Sequence, residues 1–150
     1  MQYLLKNKYV KAIGVSNFGI HHIKEILLWA DIGPCMNQIE LSPFLQRRGL
    51  SNFCKEEGIV TTAYSPLTHG IRIHDERLME IGKIYRKSAA QILIKWSLQK
   101  DNVVIPKSTN KERIKENIEV FDFTIEQNHM EILDALEEGF ATCWDPTIDP

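Results

Sequence analysis

Four short β-prone runs in this chain end in polar residues: Ser16-Asn17, Gln38 to Glu40, Tyr64-Ser65 and Lys107-Ser108. Hydroxyl and amide side chains are compact sources of hydrogen-bond donors and acceptors, suited to orienting a neutral polar ligand. Lys107 and Arg113 add two positive charges beside the Ser108 hydroxyl, and Arg113 falls at a helix N-terminus, where the backbone dipole favours an anion. Read singly, each residue has a plainer alternative: Tyr64 as a core tyrosine at a strand end, Lys107 and Arg113 as solvated surface charges. Other chemistries have weaker signals. Cys35, Cys54 and Cys143 are far apart and lack C-x-x-C spacing, which suggests neither a disulfide framework nor a zinc site. His21-His22 has no third partner at metal-ligand spacing, and Gly14 does not belong to a Gly-x-Gly-x-x-Gly loop.

The elements that must position these residues follow from apolar periodicity. Ile23, Ile26, Leu27 and Ala30 mark one face of a helix, and Leu50, Phe53 and Cys54 mark another that stops at Gly58. Ser88-Ala89-Ala90-Gln91 reads as a capping box opening a helix with Ala89, Ile92, Leu93 and Trp96 inward. Thr109-x-x-Glu112 and Thr124-x-x-Gln127 predict two more boxes, with Ile114/Ile118 and Ile132/Leu133/Leu136 facing the core. A shorter helix is expected from about Leu78 to Tyr85. The strands are expected at residues 12–16, 36–41, 59–64 and 103–106, with a helix between each consecutive pair. Strand-helix repetition predicts a parallel sheet with right-handed crossovers, either an open doubly wound sheet or a piece of a closed barrel. The polar strand tips favour the barrel, whose function concentrates on that rim.

Composition sets the remaining bounds. The 150 residues suit one domain, 1–150, but fall short of the ~250 of a complete eight-fold barrel. Eighteen basic against twenty acidic residues leave no electrostatic footprint for nucleic acid or an anionic membrane. No apolar run approaches the ~20 residues of a membrane span, and a reducing cytoplasm is the expected compartment.

Four blocks in order carry a resemblance: Gly14-Val15-Ser16-Asn17-Phe18, Asn37-Gln38-Ile39-Glu40-Leu41-Ser42-Pro43, Ala63-Tyr64-Ser65-Pro66-Leu67 and Ile105-Pro106-Lys107-Ser108-Thr109, the last followed by Arg113, Glu116 and Asn117. In these the chain resembles the aldo-keto reductase family, over its strands five to eight. The fold this implies is α/β, a partial (β/α)8 TIM barrel of four parallel strands with their helices. The cofactor it implies is NADP(H). By the resemblance, Ser16, Asn17 and Gln38 hold the nicotinamide carboxamide and Tyr64 stacks on its ring. Ser65 and Leu67, with Thr68-His69-Gly70, pass along the pyrophosphate. Lys107, Ser108 and Arg113 contact the adenosine 2′-phosphate, and Glu116 and Asn117 face the adenine. Cys143-Trp144 corresponds to a C-terminal loop flanking the substrate pocket. Asn7-Lys8-Tyr9 departs from the family's glycine-containing turn before strand five, which touches none of these contacts.

The same resemblance places the catalytic aspartate, tyrosine, lysine and histidine on the first half of the barrel, so no catalytic residue is named among Tyr3, Tyr9, Tyr64 and Tyr85. The expectation is the NADPH-gripping half of a reductase of small aldehydes or ketones, with little activity by itself. Open edges and an uncovered sheet face predict self-association or a complementing half-barrel. A non-catalytic NADPH-binding or assembly half-barrel, or a truncated gene product, is the alternative.

Overall fold

The structure is a computed structural model describing residues 1–149; Pro150, the end of the Asp149-Pro150 tail, lies outside the described residues. Four strands, β1 (Val15–Ser16), β2 (Met36–Glu40), β3 (Val60–Tyr64) and β4 (Val103–Val104), form one sheet in that order, every pair parallel. A short α1 (Gln2–Lys6) precedes them. Crossovers are made by α2 (Ile20–Trp29), α3 (Arg48–Glu56) and the pair α4 (Glu76–Tyr85) and α5 (Ala89–Gln99). Beyond β4 come α6 (Lys111–Ile118) and α7 (Gln127–Asp134). This is the arc of parallel strands and outer helices expected from the strand-helix alternation.

Register explains which side chains meet which layer. Ile39 pairs with Ala63, and both are fully buried against the helices with Ile23, Leu50 and Cys54. One residue along, the pairs Gln38–Thr62 and Glu40–Tyr64 occupy the other face of the sheet. A second apolar cluster joins α4, α5 and α7 through Leu78, Ile92, Leu93, Trp96 and Leu133. Each such side chain stabilises the fold by roughly 1.5–3 kcal/mol on area alone.

Local signals predict the helix starts unevenly. Ser88 accepts from the Gln91 amide while Gln91 accepts from the Ser88 amide, the reciprocal cap the sequence implies. The other two boxes are not formed. Asn110, not Thr109, caps α6 by accepting from the Arg113 amide at 2.9 Å. Helix α7 starts at Gln127 behind Glu126, so Thr124 lies outside it. The inward assignment of three isoleucines also fails. Ile114, Ile118 and Ile132 are 54%, 66% and 44% exposed, and Leu27 of α2 is 37% exposed. Helices α2 and α6 flank the edge strands, so part of each apolar stripe has no neighbour to cover it. The outer strands are correspondingly short: only two residues of each are paired, where runs of five and four are expected.

Candidate functional site

The C-terminal ends of parallel strands emerge on one side of a sheet, and the predicted residues gather there in strand order. Ser16 pairs with Gln38 across β1 and β2, and its hydroxyl donates to the Gln38 carbonyl at 2.9 Å. Asn17 follows in the left-handed region, φ 59°, with its amide donating to the same carbonyl. Its side chain reaches the Tyr64 hydroxyl. Burial raises the Tyr64 phenol above its ordinary value, and the neighbouring Glu40 carboxylate adds to the effect. The ring therefore stays neutral at physiological pH, which leaves a flat, half-buried face with its polar end tied down.

Asn37, one residue before Gln38, has no role assigned from sequence, yet it is fully buried. Its side chain donates to the Phe18 carbonyl at 2.8 Å and accepts from the Phe18 amide. That two-way bond fixes the turn carrying Ser16 and Asn17. An amide two residues before Ile39, on the buried face of the alternating strand, must find partners, and that alternation is the sequence signal that could have found it.

Tyr64 and Ser65 are adjacent, and at Ser65 the rim opens into a cavity of about 890 Å³. Ser65, Leu67, Lys107, Ser108, Arg113, Glu116 and Asn117 all line it, together with His69 and His74. Ser16, Asn17, Gln38 and Tyr64 do not; they form a separate group along the strand tips. The volume lies in the range of small-molecule sites, ~300–1,000 Å³. Its charge is more telling. Neither Lys107 nor Arg113 takes part in an ion pair among the described residues. Arg113 stands in the first turn of α6, whose free amides also favour an anion. Asn117 is buried one turn further on.

A second groove shows what an occupied charge set looks like. It has a volume of about 710 Å³ and is lined by Arg48, Lys55, Lys100, Asp101 and Asp134, among others. There Lys55 meets Asp101 at 3.3 Å and Lys100 meets Asp134 at 2.5 Å, so its two lysines already have carboxylate partners. Among the described residues no three His, Cys, Asp or Glu side chains gather as a metal site. No described helix is long and apolar enough to cross a membrane.

The chain's last described segment, 140–149, closes over the β1–β2 end of the rim. Buried Glu40 accepts from the Thr142 amide at 2.9 Å and from the Thr142 hydroxyl. Arg47 reaches the Glu40 carbonyl, the Asp145 carboxylate at 2.7 Å and the Thr147 hydroxyl at 2.7 Å. Burial alone would raise the Asp145 carboxyl; hydrogen bonds from Arg47 and Thr147 outweigh it and hold the group below its usual range. A Cβ at Gly19 would lie 2.0 Å from the Thr147 carbonyl oxygen, so only glycine lets the segment seat there. Cys143 and Trp144 ride on this segment, both exposed.

Comparison with known proteins gives these observations a family context. The model of the Aldo/keto reductase family matches residues 7–138. An uncharacterized oxidoreductase of Schizosaccharomyces pombe is 46% identical over 142 residues, covering 94% of this chain and 52% of its own length. A glyoxal reductase of Bacillus subtilis is 42% identical over 138 residues, covering 92% of this chain and 50% of its own. An aldo-keto reductase of Bombyx mori, solved in complex with NADP, superposes with a TM-score of 0.90 at 31% identity, over 95% of this chain and 50% of that one. The chain thus spans about half the length of the curated relatives it matches.

Proposed function

Because this chain belongs to the aldo/keto reductase family, we propose that its strand-tip groove binds NADP(H) with the adenosine 2′-phosphate at Lys107, Ser108 and Arg113. The observation that carries the reading is the pair of cations without carboxylate partners, converging with a hydroxyl on one cavity. A phosphate dianion supplies the missing charge, and a planar guanidinium fork suits its oxygens. Without that phosphate the two charges have no partner, which favours NADPH over NADH. The complex of the Bombyx mori neighbour with NADP is consistent with this choice.

In this reading Glu116 and Asn117 face the adenine, and Ser65 and Leu67 border the pyrophosphate. Ser16, Asn17 and Gln38 supply both donors and acceptors, as a carboxamide requires. Tyr64, held by Asn17, offers its face to the nicotinamide. The bound cofactor supplies a hydride for a carbonyl carbon; the residues of this chain bind and orient it. The substrates we infer are small aldehydes or ketones, in keeping with the name of the glyoxal reductase relative. The proton-donating tyrosine and its lysine, aspartate and histidine match no position here. General acid catalysis contributes ~10²–10⁴-fold, so we expect the chain tested alone to bind cofactor and turn over little. We read residues 1–150 as one folding unit acting in the cytoplasm.

A partner belongs to the same proposal. Trp29 beside β1, and Ile114 and Ile118 beside β4, are exposed at the two open edges of the sheet. A complementing half-barrel or a second copy of the chain would cover them. Fluorescence titration of the chain with NADPH and with NADH tests the binding reading. A clear preference for NADPH supports it; equal, negligible responses overturn it. Carbonyl-dependent NADPH oxidation, followed on the same preparation, tests the expectation of low turnover.

A further inference from the structure

His69, placed by the resemblance only as part of a loop passing the pyrophosphate, brings a titratable side chain to the cavity. The loop after β3 turns through three non-glycine residues in the left-handed region, Ser65 (φ 47°), Thr68 (φ 51°) and His69 (φ 51°), before Gly70 (φ 81°). Backbone held in this region persists only where its surroundings over-determine it, and it clusters at ligand sites. Thr68 is the pivot. It is buried, its hydroxyl donates to the Leu67 carbonyl at 2.8 Å, and it accepts from the Arg72 amide at 3.1 Å. With Thr68 fixed inward, His69 is turned out to the cavity, where its Nε2 lies 2.9 Å from the Ser65 hydroxyl.

We propose that His69 makes cofactor binding proton-linked: as an imidazolium it is a third cation for the anionic bridge of a dinucleotide. The inference rests on the NADP(H) reading and adds to it a charge that changes with pH. The other charged or titratable side chains lining the cavity are Lys107 beyond β4, Arg113 and Glu116 on α6, and His74 from the loop before α4. A bound diphosphate adds negative charge and shifts the balance towards the imidazolium. Binding therefore takes up a proton, and affinity rises as pH falls across the interval from ~8 to ~5 in which histidines change charge. Ser65 serves both states, donating to the neutral ring nitrogen and accepting from the protonated one.

The test is NADPH fluorescence titration of the chain at pH 6 and pH 8, alongside His69→Gln, His74→Gln and Arg113→Ala. Binding is expected to be roughly 5- to 10-fold tighter at pH 6 for the unaltered chain, the scale of ordinary site-to-site coupling. His69→Gln abolishes that ratio, and His74→Gln keeps it. The 2′-phosphate gains a proton in the same interval, which weakens binding alike in the unaltered chain, His69→Gln and His74→Gln, so the comparison with His69→Gln isolates the imidazole. An equal pH ratio in the unaltered chain and in His69→Gln overturns the inference while leaving an Arg113-sensitive cofactor site standing. Absence of NADPH binding at both pH values overturns the cofactor reading, and His69 with it.

Discussion

The two groups of residues along the strand tips are held in different ways. At the Ser16–Tyr64 end, side chains are committed to one another: Ser16 to the Gln38 carbonyl, Asn17 to Tyr64, Asn37 to both polar atoms of Phe18. At the Lys107–Arg113 end, charges face a cavity and form no ion pair, although Glu116 also lines it. The first end is organised by its own hydrogen bonds, the second by charges without ion-pair partners; in the proposed cofactor site the first would orient the ligand and the second select it. A site so divided separates geometry from discrimination, and substitutions at the two ends should differ in kind.

The largest expected effect comes from removing both cations. Lys107→Ala with Arg113→Ala should weaken NADPH binding at least ~100-fold, since each charge-assisted contact is worth about 1.5–3 kcal/mol, and leave NADH nearly unchanged. Equal losses for both cofactors would place the two residues away from the 2′-phosphate. Tyr64→Ala should reverse the pattern, weakening NADPH and NADH alike by up to ~10-fold, the scale of an aromatic contact. A selective loss of NADPH there would erase the distinction between the ends.

Next in size is a stability effect at the selecting end. Asn110→Ala removes the α6 cap and should cost about 1 kcal/mol, seen as a lower thermal midpoint, with NADPH preference kept but reduced. The smallest effect concerns the segment over the orienting end. Its docked form holds the Asp145 carboxyl below the usual range. Docking free energy from this group is therefore present above the ordinary carboxyl value, about 3.9, and is lost as pH falls through the lower docked value. Limited proteolysis should find residues 140–149 protected at neutral pH, and Asp145→Asn should expose them there. Unchanged protection would assign the anchoring to Glu40 and Thr142 alone.

What could be read from sequence follows the same division by range. Strand order and the rim residues were legible because parallel strands put every C-terminal tip on one side, wherever the intervening helices begin. The Ser88–Gln91 cap was legible because both partners lie within one turn. The α6 cap was not, because Thr109 and Asn110 are adjacent residues of capping type and only geometry selects between them. The apolar stripe of α6 was correctly seen as a stripe, but periodicity says which residues share a face, not whether a neighbour covers it; Ile114 and Ile118 remain exposed. Arg47 left no trace at all. Its carboxylate partner is 98 residues away, so nothing near it in the chain distinguishes it from an ordinary surface arginine.

The slot that receives Thr147 is defined by a missing side chain at Gly19. Its walls come from the β1–α2 corner and from Arg47, the residue that caps α3, so it exists only once those parts have assembled. The closing segment is therefore expected to dock after those parts have assembled. Hydrogen exchange at the Thr142 and Thr147 amides, which are bonded to Glu40 and Asp145, would time that step separately from core formation.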